Sequence, residues 1–179
     1  METKQTKIYG PYIPSCLNKK ICLSISEVGK NVKQNLEKKI RNHIEGKCIP
    51  EGYIRAGSVN ILTYSSGNVL YGQIEFHVTL ECQICYPVEG TLIECLAKTI
   101  TKAGIHGEVI DEDGNVPINV FIARDHHISD NYFTKVKEGD KFVASVIGVR
   151  FELNDPYISV IAGLKKEYDN KKERIKIDE

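Results

Sequence analysis

A strict alternation of apolar and polar side chains marks the middle of this chain. From residue 73 to residue 84, every even position holds an apolar residue or cysteine, and every odd position is polar. A period of two is typical of a β-strand with one buried face and one solvated face. The run is long for a strand and passes almost directly into a second strand pattern after Tyr86. It therefore predicts a long strand that links two small domains rigidly in series.

The region before this strand predicts a strand, a helix and further strands. Residues 21–25 form a predicted strand, with residues 1–20 ahead of them as an extended arm. Apolar residues recur at every fourth position over 28–44, behind the N-cap candidate Ser26, which predicts a helix with one narrow apolar stripe. Further strands are predicted over 46–54 and 58–64. This order indicates an α+β domain.

The second half predicts β-strands at 90–98, 104–110, 116–123, 141–151 and 157–164. Five short strands with glycines at the bends fit an all-β OB-fold barrel. We expect a short helix or long loop at 125–137 and a hairpin turn at 111–115. The predicted organisation is an arm at 1–20, an α+β domain at 21–85, an OB-fold barrel at 86–168 and a charged tail at 169–179.

Charge divides unevenly between the halves. Residues 1–84 carry eleven Lys/Arg against seven Asp/Glu, whereas residues 85–179 carry thirteen against seventeen. Nucleic-acid modules usually have a strong positive balance, so RNA binding by the second half would depend on a local patch. Neither a signal peptide nor a membrane-spanning apolar run is evident. We expect a soluble intracellular protein that does not bind membranes, with its six cysteines reduced.

Cys82 and Cys85 have the spacing of a zinc half-site or a redox pair. A structural zinc site needs four ligands, and no second pair follows. On a strand these two side chains also point to opposite faces, so Cys82 is better interpreted as a small buried hydrophobic residue. The adjacent side chains of His126 and His127 diverge, which fits an exposed polar loop better than a metal site.

Three acidic residues, Asp111, Glu112 and Asp113, lack the further ligands of a calcium loop and predict a solvated turn. The sequence has no nucleophile elbow, phosphate-binding glycine loop or paired catalytic carboxylates. We therefore predict no catalytic residue, no metal and no cofactor. A metal-dependent nuclease on an OB barrel, with Asp111 and Asp113 binding the metal, ranks last among the alternatives.

An OB barrel binds single strands on the face of its central strands, where aromatic rings stack on bases and cations contact phosphates. The RNA-binding candidates are Lys98, Lys102, His106, Phe121, Arg124, His126 and Lys141. Phe121 is the best stacking residue, although it fits a core position equally well. The nearby acidic turn opposes a phosphate backbone, so the expected contact is weak and tolerant of sequence.

Several motifs of the second half resemble the ribosomal S-one type of OB domain. They are PVEG at 87–90, KAGIHG at 102–107, NVFI at 119–122, VKEGD at 136–140 and YISV at 157–160. The first half adds IEGKC at 44–48 and GYI at 52–54, and the end of the barrel adds IAGLKKEY at 161–168. Together these motifs resemble the stalk subunit of multisubunit DNA-directed RNA polymerases. That family comprises the archaeal E subunit and the seventh-largest subunit of eukaryotic RNA polymerase II.

The resemblance implies a non-catalytic polymerase subunit. Its N-terminal tip domain would dock on the core near the clamp and the largest subunits, and Glu51, Gly52 and Tyr53 would belong to the docking end. The OB domain would face the exiting RNA, bind it weakly as a single strand, and support initiation and elongation. Such subunits usually pair with a small helical stalk partner, whose presence here is left open.

The resemblance also implies a place beside the transcription machinery, with nucleus, cytoplasm and virion not distinguished. The long arm and the excess of Lys and Ile fit a diverged lineage, such as a large DNA virus that encodes its own polymerase. The main alternative is a free-standing OB-fold RNA-binding protein that acts in translation or RNA decay.

Overall fold

A computed structural model describes residues 10–128 and 131–165, and this part of the chain is mostly β. The first nine residues of the predicted arm and the tail at 169–179 lie outside the described residues. The strands are β1 Ile13–Ser24, β2 Cys48–Ile49, β3 Gly52–Ile54, β4 Asn60–Tyr64, β5 Asn68–Leu70, β6 Gln73–Cys85, β7 Leu92–Ile100, β8 Gly104–Val109, β9 Ile118–Ala123, β10 Lys141–Arg150 and β11 Ile158–Lys165. The helix α1 spans Val32–Ile44, and short 3-10 turns lie at Ile25–Glu27, Arg124–His127 and Phe133–Lys135.

Strand β6 is the centre of a six-stranded N-terminal sheet. It pairs with β1 along one edge and with β5, β4 and β3 in succession along the other, and β2 extends the sheet from β3. Its side chains Phe76, Val78 and Leu80 are buried, as the alternation predicts. The sheet and α1 share one hydrophobic cluster. The interpretation of this region as an α+β tip domain, and its boundary at residue 85, stay predictions.

Strand β1 is longer than the predicted strand at 21–25. It begins at Ile13, inside the stretch predicted as an arm, and pairs with β6 over its full twelve residues. The apolar–polar alternation does not reveal this strand in the sequence, because the half-buried position 19 holds a lysine. Pro14 also argues against a central strand, but β1 lies at the edge of the sheet, where a proline near the start of a strand is tolerated.

Helix α1 begins six residues after Ser26, the predicted N-cap. Ser24 and Glu27 instead form a capping box around the 3-10 turn, and Val28 is extended with φ −94° and ψ 106°. This extended residue interrupts the helical run, so the N-cap of α1 is Asn31. The predicted apolar stripe is confirmed further along the helix, where its buried residues are Leu36, Ile40 and Ile44.

Strands β7 to β11 close a barrel in the order β7-β8-β9-β11-β10. The β9–β11 pair is parallel and the other pairs are antiparallel, a connectivity that agrees with an OB-like barrel. The five strands predicted from the sequence are confirmed with end shifts of at most two residues. The stretch predicted as a short helix or loop, 125–137, contains the last 3-10 turn and all but the first residue of the one before it. No helix in residues 10–128 and 131–165 has the length and apolar character needed to cross a membrane.

The sheet and the barrel meet at β2, β3 and the loop after β10. The Cys48 amide donates to the Asp155 carbonyl at 2.8 Å, and the Asn154 amide donates to the Cys48 carbonyl at 2.8 Å. Cys48, Tyr53 and Cys85 are buried in the same hydrophobic cluster as the barrel strands. The sheet therefore shares hydrogen bonds and core with the barrel, in agreement with two parts held in series.

Polar side chains reinforce this contact, and we call Tyr12, Arg55, Gln83, Asp111 and Asp113 the junction cluster. The Tyr12 hydroxyl donates to Asp111 Oδ2 at 2.7 Å. The Arg55 guanidinium donates to Asp113 Oδ2 from Nη2 at 2.8 Å and from Nε at 3.1 Å, and to Gln83 Oε1 at 2.8 Å. The acidic turn is therefore not simply solvated, because its carboxylates bind side chains of the N-terminal half.

Substitution of Leu80 tests the buried face of β6. Leu80→Asn should lower the free energy of unfolding by at least about 4 kcal/mol, because it leaves a cavity and buries an unpaired amide. His77→Asn places the same residue on the exposed face and should cost less than about 1 kcal/mol. Denaturant unfolding followed by circular dichroism measures both changes. Equal effects would contradict the assigned faces of β6.

Acidification should weaken the junction cluster. Burial raises the pKa of Asp111, but hydrogen bonds from Tyr12, Asn115 and the Asp113 amide outweigh it and hold the pKa below its usual value. Such a group stabilises the fold above its unfolded pKa, about 3.9 for Asp, and this contribution is lost as pH falls through the folded pKa. The stability advantage of the wild type over Asp111→Asn should therefore shrink below about pH 4.

Unfolding free energies measured at neutral and acidic pH give this difference directly. The control is Asp125→Asn, which removes an exposed carboxylate outside the junction cluster. A wild-type advantage over Asp111→Asn that stays constant with pH would mean that the Asp111 charge does not support the junction.

Candidate nucleic-acid interface

Two rows of side chains cross the outer face of β8, β9 and β11. The strand register aligns them because His106 is opposite Phe121, and Phe121 is opposite Ile161. The second row, two residues along each strand, consists of Glu108, Asn119 and Ser159. The alternate residues of these strands are buried on the barrel side, and these are Ile105, Gly107, Val120, Ile122, Ile158 and Val160.

A groove of about 470 Å³ lies over these rows, and we call it the barrel groove. Its further walls come from Gly148 and Arg150 on β10 and from Tyr157 just before β11. The volume falls within the range of about 300–1,000 Å³ usual for small-molecule sites. Gly148 lies opposite Ile161 at the end of the first row, and its missing side chain leaves that end of the groove open.

Two of the predicted RNA-binding residues form an aromatic pair in this groove. The ring centroids of His106 and Phe121 are 4.8 Å apart, with their planes inclined by 43°. His106 is exposed and Phe121 is half-buried, so Phe121 is not a full core residue. Ile161 beside them is 51% exposed. The pair therefore offers a surface on which a flat ring can stack.

The predicted cations are dispersed rather than gathered. Lys98 forms an ion pair with Glu108, next to the second row. Lys102 is exposed in the β7–β8 turn. Arg124 is used structurally, because its Nε donates to the Lys102 carbonyl at 2.9 Å and its guanidinium lies 5.2 Å from the Phe133 ring centroid.

Lys141 and His126 do not line the barrel groove. Lys141 lies at the opposite end of β10 from Arg150, where its Nζ is 3.0 Å from Glu94 Oε1. His126 is exposed on the 3-10 turn that follows β9. The structure therefore brings together His106 and Phe121 with Lys98 nearby, and separates Lys141 and His126 from them.

Sequence reasoning missed Asn119, Arg150 and Tyr157 as groove residues. Asn119 and Tyr157 belong to the NVFI and YISV motifs, so both were visible as motif positions. The missing information was the parallel pairing of β9 with β11, which places Tyr157 and Ser159 beside the central strands. A threading of the sequence onto OB connectivity would have supplied that signal.

The predicted docking turn lies at the barrel end of β6. Tyr53 is 4% exposed, inside the cluster shared with the barrel. Gly52 has φ 131°, and a Cβ there would lie 2.5 Å from the Cys85 carbonyl oxygen, so this position requires glycine. Glu51 is exposed and pairs with Lys19, with Nζ 2.9 Å from Oε1. Of these three residues, Glu51 is the one whose side chain could contact a partner directly. Docking through this turn stays a prediction.

The opposite end of β6 carries exposed apolar side chains that sequence reasoning missed. Val69, Leu70 and Tyr71 are 69%, 40% and 104% exposed. Tyr71 and Gly72 have φ 47° and 80° between β5 and β6, as in a two-residue type I′ hairpin turn. We call residues 69–72 the distal hairpin. A tyrosine in the left-handed region is uncommon, and here it holds the ring in solvent.

Cys82 and Cys85 lie in separate hydrophobic clusters, which confirms that their side chains point to opposite faces. Burial raises the pKa of Cys82 to about 11 and that of Cys85 to about 12. Both thiols therefore stay protonated at neutral pH. Within the described ranges, no group of three or more His, Cys, Asp or Glu is arranged to hold a metal ion.

The fold and the groove define a class of small two-part proteins in which a β-sheet region precedes an OB-like barrel with an aromatic groove. No protein-family model matches the chain. It is 28% identical over 184 aligned positions to a protein of Acanthamoeba polyphaga mimivirus provisionally described as a DNA-directed RNA polymerase subunit, covering 89% of this chain and 88% of that protein.

A second relative is DNA-directed RNA polymerase II subunit 7 of Arabidopsis thaliana. The identity is 26% over 105 aligned positions, which cover 58% of this chain and 56% of the plant protein. These similarities confirm the predicted resemblance to the polymerase stalk-subunit family, and they include a viral relative as expected.

Proposed function

We propose that this chain is a non-catalytic stalk subunit of a DNA-directed RNA polymerase, which docks on the polymerase core near the clamp, faces the exiting RNA and supports transcription initiation and elongation. The similarity to the viral relative across 89% of the chain carries the proposal. It includes both the N-terminal sheet and the barrel, whereas a free OB module would share the barrel alone.

The length of β6 suits a subunit that bridges two partners. Its thirteen residues, at about 3.3 Å each, span about 40 Å. The distal hairpin lies at one end of this strand and the barrel follows the other. Because the junction cluster and shared core hold the barrel to the sheet, a subunit docked by the distal hairpin would present the barrel groove at a fixed distance.

The distal hairpin is our preferred core-docking element. Exposed apolar side chains that lie together mark protein interaction sites, and this hairpin presents three in succession. Ser24 is in register with Gln73, which brings Ile25, 61% exposed, to the same end of the sheet. Glu51 is the alternative contact implied by the family resemblance.

The barrel groove is the proposed RNA-facing surface. Its aromatic pair can stack on bases, and its sparse cations fit a weak contact with a single strand better than tight binding. A small helical stalk partner remains part of the proposal, and the protein would act beside the transcription machinery.

Co-purification tests the docking proposal. Tagged wild-type protein, expressed together with its own polymerase, should recover the two largest polymerase subunits at physiological salt. Tyr71→Asp should reduce this recovery at least about tenfold, because a buried unpaired charge is strongly unfavourable in an apolar interface. Ile128→Asp also replaces an exposed hydrophobic residue by aspartate, but on the barrel, and it should leave recovery unchanged.

Glu51→Lys distinguishes the two docking elements, since it affects recovery only if the β2–β3 turn contacts the core. A wild-type protein that emerges alone would contradict the stalk proposal. Tight binding to RNA without polymerase would then favour the free-standing RNA-binding alternative.

Single-strand binding should depend on the aromatic pair. Phe121→Ala should weaken binding of a labelled ten-nucleotide RNA by about 1–3 kcal/mol, the usual contribution of one stacked base. Lys141→Ala, outside the groove, should change binding by less than about 0.5 kcal/mol. Fluorescence anisotropy at low salt measures both, and a larger loss from Lys141→Ala would place the RNA elsewhere on the barrel.

A further inference from the structure

Asn119 carries an unsatisfied hydrogen-bond acceptor in the barrel groove. Its Oδ1 atom is buried, yet no atom in the described part of the chain donates a hydrogen bond to it. Buried polar atoms are paired in the great majority of cases, and an exception needs a reason. Because the residue lines the groove, a ligand bound there can supply the missing donor once the Asn119 side chain turns Oδ1 toward it.

The position of Asn119 relates it to the aromatic pair. Asn119 and Phe121 lie on the same face of β9, two residues apart, so their Cα atoms are separated by about 7 Å. A flat ring stacked on Phe121, with His106 beside it, would bring its edge toward the Asn119 amide if it extends along β9. A purine reaches farther along the strand than a pyrimidine does.

The chemistry of the amide selects among bases. Asparagine offers one acceptor and one donor side by side, which match the N6 amino group and N7 atom of adenine. We propose that Asn119 recognises an adenine of single-stranded RNA that is stacked on Phe121 beside His106, with Oδ1 accepting from the N6 amino group. This inference rests on the proposed RNA-facing role of the groove and gives that surface a base preference.

The surroundings of Asn119 are compatible with a nucleotide. The neighbouring carboxylate of Glu108 is paired with Lys98, which offsets its repulsion of phosphate. Arg150 extends the second row onto β10, because it is opposite Ser159. Its ion pair with Glu152 spans 3.5 Å, and both side chains are more than 70% exposed, so this weak pair can yield to a phosphate.

The test uses three ten-nucleotide RNAs that differ at one central position. One has adenosine in a uridine background, one has uridine throughout, and one has purine riboside, which lacks the N6 amino group. The full-length wild-type protein should bind the adenosine RNA at least fivefold more tightly than either of the others. Fluorescence anisotropy at low salt gives the three affinities.

Asn119→Ala should reduce the preference for adenosine to less than twofold. Its affinity for the uridine RNA should stay within twofold of wild type, since stacking on Phe121 is retained. Removal of an unsatisfied amide should not lower the thermal unfolding temperature, which separates loss of recognition from loss of fold. Phe121→Ala is the matched groove variant and should weaken all three RNAs together.

Equal binding of the three RNAs by wild-type protein would overturn the inference, as would binding of none of them. A preference that survives Asn119→Ala would overturn it too. These outcomes leave the stalk proposal standing if the protein still recovers the polymerase subunits, so the two failures can be distinguished.

Discussion

The backbone hydrogen bonds of β6 determine the position of nearly every other element in the N-terminal half. This strand pairs along both edges, with β1 on one side and three short strands in succession on the other. The side chains of its buried face share one hydrophobic cluster with those of α1. The short strands are too brief to persist alone. Since they share a single partner, disruption of β6 would release the whole sheet rather than one edge.

The C-terminal end of the same strand belongs to the barrel. Cys85 is buried with barrel residues, whereas Cys82, three positions earlier, is buried with the sheet. One continuous strand thus contributes to both hydrophobic clusters. The junction cluster adds directional hydrogen bonds at this boundary, where Arg55 satisfies carboxylates from the opposite half of the chain. This contact pairs one positive charge of the first half with negative charges of the second.

The sequence predicted those elements whose periodicity matches their burial. The alternation in β6 and the five barrel strands are examples, because one face of each is consistently apolar. Periodicity failed for β1, where Lys19 is half-buried and Pro14 is placed at a tolerant edge. Of the site residues, His106 and Phe121 were predictable from the central strands. Asn119 and Arg150 were not, since the alternation of β9 does not show which polar positions line a groove, and Arg150 joins the second row only through the antiparallel pairing of β10 with β11.

The turn at Tyr71 and Gly72 has a kinetic consequence. A two-residue hairpin turn has little conformational freedom, and the left-handed backbone at Tyr71 fixes the direction of its Cα–Cβ bond before any partner arrives. A hairpin whose backbone is already ordered loses little backbone entropy on association. In the proposed docking, such a preorganised hairpin would favour a slow dissociation rate.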